Sequence, residues 1–502
     1  MDPLSPRTSW IVIESDRIVA SGHGEEWRSF RHRNTRLIDC TGKTILPGFV
    51  DVHMHLVSYV KSLVTLDLSC RKGVLSIADI QSILHACSQN KPPGTWILAR
   101  GYDEFHLAER RHPNRWDLDK VTPYHPVRLT HRSGHAHVLN SLALKRVGIT
   151  KETGDPDGGL IERDLGTGEP TGVLYEMGDF LSRRIPPLSP AEIEQGLEKA
   201  AHELVSMGIT SIQDASSHND QDQWKLLSSW KASRSLRPRI NMMLGYQAFK
   251  DESYRSFPEY EDENQLRLGA VKIILDHTSG QLYPSQTDLN AMVLEIHRAG
   301  LQVAIHAIEE ESIKAACAAV KYALDRVPRK DHRHRIEHCS VCPPSLAGQI
   351  ASLGITVVSQ PAFIYYSGDR YLETVPETQL KHLYAFRTLL SRGINVSGSS
   401  DCPVVPPNPL AGMGAAVLRT SSTGRILGDR EKISMLEALR MYTRNAAFAH
   451  FEESSRGTIT PGKLADLVVL NADPLQLPQD ALKDLETEMT IVGGQIVWEK
   501  EG

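Results

Sequence analysis

His53 and His55 end the apolar run Phe49-Val50-Asp51-Val52-His53-Met54-His55. On a strand, residues two apart point to the same side. The two imidazoles are therefore placed to hold one ion together while Met54 turns the other way. A lone His-x-His pair is more often ion-paired or packed in a core, so its company decides. His306 closes the strand-like run Gln302–His306, His338 closes Arg335–His338, and Asp401 follows Asn395–Ser399. Four histidines and an aspartate at the same relative position are nitrogen and oxygen donors suited to zinc, with iron or manganese as alternatives. A bound divalent ion brings the pKa of water to near 7 and polarises a carbonyl. The chemistry implied is hydrolysis through a metal-activated hydroxide.

Lys272 is the sixth piece, inside the apolar run from Gly269 to Asp276. A bare ammonium in such a place is costly to desolvate. It must find an acid, lose its proton, or react. A neutral amine takes up CO2 to become a carbamate, an anionic oxygen donor able to bridge two ions. A rim lysine paired with an acid fits the sequence equally well. His135, in Ser133-Gly134-His135-Ala136-His137, is a candidate for stabilising a developing oxyanion, or a structural histidine. Tyr102, Phe363, Tyr365 and Tyr366 are candidates for an aromatic pocket wall; packing is the commoner role for such residues.

The elements that must position these groups alternate. Gly208–Asp214 reads as a strand, and Asp288–Gly300 as a helix ending in glycine. Strand Gln302–His306 and helix Glu311–Arg326 follow, then strand Arg335–His338, helix Pro344–Gly354, strand Thr356–Gln360, helix Lys381–Gly393 and strand Asn395–Ser399. Repeated strand–helix units predict a parallel sheet, and this many predict a (β/α)8 TIM-like barrel whose site lies at the C-terminal strand ends. Residues 57–184 are too many for one crossover and predict an insertion over the top of the barrel. Trp10–Glu14, Arg17–Ala20, Arg36–Asp39, Asp466–Leu470, Glu488–Val492 and Gln495–Trp498 read as strands. They predict one small β-sandwich domain from residues 1–47 and 455–502, with the barrel at 48–454 between them.

The chain has 502 residues, 40% hydrophobic and 23% charged, with a net charge of -5. It has no basic footprint for nucleic acid, and no apolar run of the roughly 18 residues that a membrane helix needs. The N-terminus lacks the pattern of a secretory signal. Seven scattered cysteines do not form a disulfide framework, so a cytoplasmic setting is expected. Cys339 and Cys342 form a lone CxxC without a second pair, and read as small hydrophobes. Asn395-Val396-Ser397 is a sequon inside a strand-like run and reads as accidental. The expected partner is a small molecule; a homo-oligomer is left open.

Longer motifs carry a resemblance. They are PGFVDVHMH from Pro47, RSGHAHVLNSLAL from Arg132, GGLIERDLGTGEPTGVLYE from Gly158, GAVKIILD from Gly269, VAIHAIEEE from Val303, HRIEHC from His334, SGSSDCPV from Ser397 and GTITPGKLADLVVL from Gly457. Over nearly its whole length the chain resembles the YtcJ-like branch of the amidohydrolase superfamily, amidohydrolase family 3. The resemblance implies a barrel with a flanking β-sandwich and hydrolysis of a C–N bond in an amide, formamide or carbamate-like molecule. It implies one or two ions, zinc first, held by His53, His55, Lys272, His306, His338 and Asp401. It further implies that Lys272 is carboxylated where two ions bind and that Asp401 moves the proton. The chain departs from the family at Asp276-His277-Thr278-Ser279-Gly280, where Asp-Gly-Ser is usual, and at Glu309-Glu310, where Gly-Asp is usual. His306-x-x-Glu309 matches the spacing by which mononuclear deaminases of the superfamily present an acid, so a deaminase using Glu309 is the alternative. A non-catalytic barrel scaffold is the alternative from another class.

Overall fold

The computed structural model describes residues 7–156, 158–257, 265–275 and 282–501. The chain forms two compact units, Met1–Leu56 with Ala201–Gly502, and Val57–Ala200.

The first unit contains the expected barrel. Its strands are β1 (Phe49–Met54), β2 (Ile209–Asp214), β3 (Arg239–Gly245), β4 (Leu266–Ile274), β5 (Val303–Ala307), β6 (Arg335–His338), β7 (Thr356–Ser359) and β8 (Val396–Gly398). They lie side by side in chain order, each parallel to the next. Backbone bonds just past the ends of β1 and β8 join the first strand to the last. Asp401 N–H donates to the His53 carbonyl at 2.8 Å, and His55 N–H to the Cys402 carbonyl at 2.7 Å.

Strand parity explains which side chains go where. Val271, Ile273, Val303, Ile305, Ile336, Val357 and Val396 pack outward into one apolar core with Leu289, Val293, Ile296, Ile313 and Val320 of the helices. Their alternate neighbours include Lys272, Arg335 and Glu337, which are polar yet buried. Gly48 lets β1 approach β2: a Cβ there would lie 2.2 Å from the Thr210 hydroxyl. The helix Gln286–Arg298 starts where the Ser285 side chain accepts the Asp288 N–H.

Thr44–Pro47, Leu467–Leu470, Thr487–Val492 and Gln495–Glu499 form a four-stranded antiparallel sheet from both chain ends, and Trp10–Glu14 pairs with Arg17–Gly22. A cavity of about 1610 Å³ is lined by residues of both sheets, Trp10, Ile13, Ile45 and Met489 among them. Arg36–Asp39 is not a strand. It runs along an exposed segment, Asp39 is used to cap a turn at Thr41, and the next segment, Thr44–Pro47, takes the place beside Leu467–Leu470.

Two further expectations differ. Of the helix expected at Lys381–Gly393 only Phe386–Leu390 is helical, and a separate short helix, Glu377–Leu380, ends before it. Between them Tyr384 has a left-handed φ of 51°, which a continuous helix cannot contain. A helix not expected, Ala362–Thr374, follows β7.

The second unit extends to Ala200, beyond the expected end of the insertion at 184. It is built on a six-stranded mixed sheet in the order Leu66–Asp67, Ile97–Tyr102, Val127–His131, Ala136–Leu139, Pro170–Tyr175, Leu160–Arg163. Among the described residues no helix is long and apolar enough to cross a membrane.

Three histidines join at the N-terminal ends of β5 and β6. His334 Nδ1 accepts the Val303 N–H at 3.0 Å, so its Nε2–H donates to His297 Nδ1 at 2.8 Å; His297 Nε2–H then donates to the Val327 carbonyl at 2.7 Å. His332 Nδ1 accepts the His334 N–H at 2.9 Å, and its Nε2–H donates to the Leu353 carbonyl at 2.8 Å. Each ring uses one nitrogen as an acceptor, so the chain of bonds requires neutral imidazoles. Burial, opposed at His297 and His332 by a carbonyl acceptor, lowers the pKa of all three. Because the folded pKa lies below the unfolded value of about 6.5, their contribution is complete above that pH and is lost as pH falls towards the lowered values. Thermal midpoints are expected to drop between pH 7.5 and 5.5, with a shallower drop in His297→Gln. An equal drop in both proteins would contradict the assignment.

Candidate metal centre

The closing bonds between β1 and β8 bring Asp401 against the His-x-His pair. Asp401 Oδ1 lies 3.1 Å from His55 Nε2 and 3.5 Å from His53 Nε2. The ligand atoms of these three residues all lie within 4.8 Å of one another. Asp401 has a left-handed φ of 58°, which turns its side chain out of the strand's alternation and into the cluster. His338 does the same at the end of β6, with φ 71°. Non-glycine residues in this region carry strain of the kind found at functional sites. The His338 ring lies 4.9 Å from that of His53 and 4.4 Å from that of His306, centroid to centroid.

Lys272 enters the same space from β4. Its Nζ is 3.4 Å from His53 Nε2, and its side chain is 1% exposed. Among the described residues no carboxylate is in ion-pair contact with it. Burial lowers its pKa to about 8, against the more distant charges of Glu337 and Asp401. The structure thus gathers all six sequence-proposed ligands, His53, His55, Lys272, His306, His338 and Asp401.

The neighbouring groups fix how the donors face. His53 Nδ1 bonds Glu337 Oε2 at 2.5 Å, His55 Nδ1 meets Ser216 Oγ at 3.2 Å, and His338 Nδ1 donates to Gln360 Oε1 at 2.8 Å. Gln360 in turn donates to Ser399 Oγ at 3.1 Å. With each Nδ1 engaged, the Nε2 atoms of His53 and His55 are left facing Asp401. Burial, then the charge of Lys272, pushes the His53 pKa down to about 3 despite Glu337. Burial likewise lowers His306 and His338. Asp401 is buried too, but the hydrogen bond from His55 and the surrounding imidazoles hold its carboxyl well below the usual range. Imidazole nitrogens turned towards a carboxylate oxygen make a donor set of the kind that holds a divalent ion, so the residues present fit one.

Asp51, Gln213, Ser216, Arg335, Glu337 and Gln360 were not among the sequence-proposed site residues. Asp51 shares strand parity with His53 and His55, and Arg335 and Glu337 share parity on β6, so the alternation of charge on apolar strands was a readable signal. Gln360 closed the expected strand Thr356–Gln360, the position that singled out His306 and His338, whereas Ser216 carried no such signal.

The remaining candidates are placed differently. Glu309 is exposed immediately before the helix Glu310–Arg326, and among the described residues its carboxylate makes no hydrogen bond or ion pair. Phe363 is half-buried on the helix Ala362–Thr374 against Tyr384, and Tyr365 is exposed beside Tyr366. Asp276–Gly280 lies outside the described residues. In the second unit, Tyr102 is fully buried in the apolar core of its sheet, with its hydroxyl 2.8 Å from His112 Nδ1. The core position explains the burial and gives the ring packing neighbours. His135 is exposed and 2.9 Å from Glu176.

A second group in that unit, Asp103, Glu104 and His131, also clusters. Here Arg132 and His106 both approach Asp103 at 3.2 Å, and His131 lies 2.8 Å from Glu104. Cations already balance the acids, and the group reads as an ion-pair network.

The chain matches the model of the amidohydrolase family over residues 36–498. It is 30% identical to the Bacillus subtilis protein YtcJ, named as an amidohydrolase, over 98% of this chain and 96% of that one. It is 29% identical to an N-substituted formamide deformylase of Arthrobacter pascens, over 98% and 95%. A solved structure from Pyrococcus horikoshii, described as an uncharacterized metal-dependent hydrolase, superposes with a TM-score of 0.73 at 22% identity, covering 94% of this chain and 95% of that one.

Purified protein is expected to retain divalent metal, measured by elemental analysis. His55→Ala and Asp401→Ala are expected to lose most of it. Metal content unchanged in both would contradict the ligand assignment.

Proposed function

The chain belongs to the amidohydrolase family, a hydrolase of carbon–nitrogen bonds, and from that premise we propose that it cleaves a small N-substituted formamide or related amide into a carboxylic acid and an amine. The observation that carries the site is Lys272, buried beside His53 without an acid partner among the described residues. A structural lysine in such a place would be paired, because leaving an ammonium buried and unpaired costs several kcal/mol. A lysine with a pKa lowered to about 8 has an accessible neutral amine. That amine attacks CO2, forms an N–C bond and gives up a proton, and the resulting carbamate bears one negative charge.

We assign zinc first, as one or two ions held by His53, His55, His306, His338, Asp401 and the Lys272 carbamate. Bound there, a divalent ion supplies acidified water and a polarised carbonyl. The protein's own part is proton transfer and positioning. Asp401 Oδ1, ionised and beside both histidines of β1, is the group to accept a proton from water and return it to the leaving amine. The substrate class is drawn from the relative named for N-substituted formamides, and the match of nearly the whole length of both chains supports it. The exposed position of Glu309 does not favour the deaminase reading, which needs an acid held at the ion.

N-substituted formamides, N-acyl amines and aminopyrimidine-like rings should be offered in parallel, with formate, carboxylate, amine and ammonia measured as products. Amine release from an acylated substrate is expected, and ammonia release from the ring compounds alone would overturn the proposal. Asp401→Asn is expected to lower kcat by roughly 10²–10⁴-fold. Lys272→Ala is expected to lose metal and activity, with partial recovery on adding short-chain carboxylic acids. Activity abolished in Glu309→Gln with Lys272→Ala unaffected would favour the deaminase instead.

A further inference from the structure

Arg335 and Glu337 lie two apart on β6, immediately before His338. They are fully buried, a place where apolar side chains would ordinarily stabilise a barrel as well or better. Their bonds show what the charges are arranged around. Glu337 Oε1 accepts from Arg335 Nε at 2.5 Å, and Oε2 accepts from Arg335 Nη2 at 2.9 Å. The same Oε2 lies 2.5 Å from His53 Nδ1. Arg335 is itself anchored by bonds to Gln213 Oε1 and to the Val52 carbonyl, the latter at 2.8 Å. Val52 precedes His53, so the guanidinium grips both the carboxylate and the backbone of the strand carrying the histidine.

We propose that Glu337, both of whose oxygens accept from Arg335, is the positioning residue that sets the tautomer of His53 for metal binding. The inference rests on the metal-centre reading above. An ionised carboxylate only accepts hydrogen bonds, so the facing nitrogen must carry the proton. That fixes Nδ1–H and leaves the lone pair on Nε2, the atom facing Asp401 Oδ1 at 3.5 Å and Lys272 Nζ at 3.4 Å. The other tautomer would put a lone pair against a carboxylate at 2.5 Å and a proton where the ion belongs. Arg335 makes this durable: its donors occupy both oxygens of Glu337, so each oxygen is an acceptor where it faces His53 and the guanidinium. A carboxylate behind a ligating imidazole also raises its basicity, and losing such a partner typically costs about 10–100-fold in metal affinity. Among the described residues this carboxylate contact is made by His53, whereas His55 and His338 meet the neutral groups Ser216 and Gln360.

The test uses full-length protein stripped of metal. Zinc affinity is measured by competition with a chromophoric chelator for wild type, Glu337→Leu and the double variant Glu337→Leu/Arg335→Met, neither of which leaves an acceptor for His53 Nδ1–H, with thermal unfolding followed in parallel. Glu337→Leu leaves Arg335 without its counter-charge and can fail to fold; the double variant removes both charges and keeps the test open. Folded variants are expected to bind zinc about 10–100-fold more weakly. The imidazole proton resonance of His53 Nδ1–H, downfield in wild type, is expected to move upfield. Wild-type zinc affinity in a folded double variant would overturn the proposal and assign the pair a purely structural role. Wild type that binds no zinc would overturn the metal-centre reading itself, which separates the two failures.

Discussion

Closing the barrel and assembling the site are one event. The backbone bonds that join β1 to the segment after β8 run through His53, His55, Asp401 and Cys402, and three of these four are proposed ligands. A strand pair that slipped would separate the aspartate from the histidines, and a one-residue slip would also turn side chains to the wrong face. The left-handed backbone at Asp401 and His338 aims those side chains inward after the strands have run out. The ring of parallel strands, packed outside by one apolar core, holds these strained residues in place.

The second constraint is charge. His53, Lys272, Arg335, Glu337 and Asp401 are all at most 8% exposed. Arg335, Glu337 and His53 satisfy one another through direct bonds. Asp401 is satisfied by His55 and the neighbouring imidazoles. Lys272 is the member that the described protein atoms do not balance with a contacting acid. Desolvation wins over the more distant acids and lowers its pKa to about 8. This contrast separates the two buried cations: Arg335 serves the architecture around His53, and Lys272 is left available for chemistry.

Much of this was legible in the sequence because strand parity and helix punctuation are local. The His-x-His pair, the proposed ligands at the ends of β5 and β6, and Asp401 after β8 are all brought together at one end of the barrel. Less visible were features that depend on what lies across the fold. Arg36–Asp39 has a strand-like pattern but pairs with no strand among the described residues, whereas Thr44–Pro47 meets Leu467–Leu470. The left-handed residue Tyr384 falls inside the helix expected at Lys381–Gly393, which is helical only at Phe386–Leu390. The six-stranded sheet of the second unit was compressed into one insertion because its strands are short and pair in mixed directions. Ser216 and Gln360 touch ligands only through tertiary contact, which no spacing rule reports. Tyr102 looked like a pocket aromatic but has a core position.

The account turns on the state of Lys272, and carbon-13 NMR reads that state directly. Protein reconstituted with zinc in carbon-13 bicarbonate is predicted to show a carbamate carbon that is absent from Lys272→Ala prepared in the same way. A wild-type protein that binds metal at full occupancy without any carbamate resonance would contradict it.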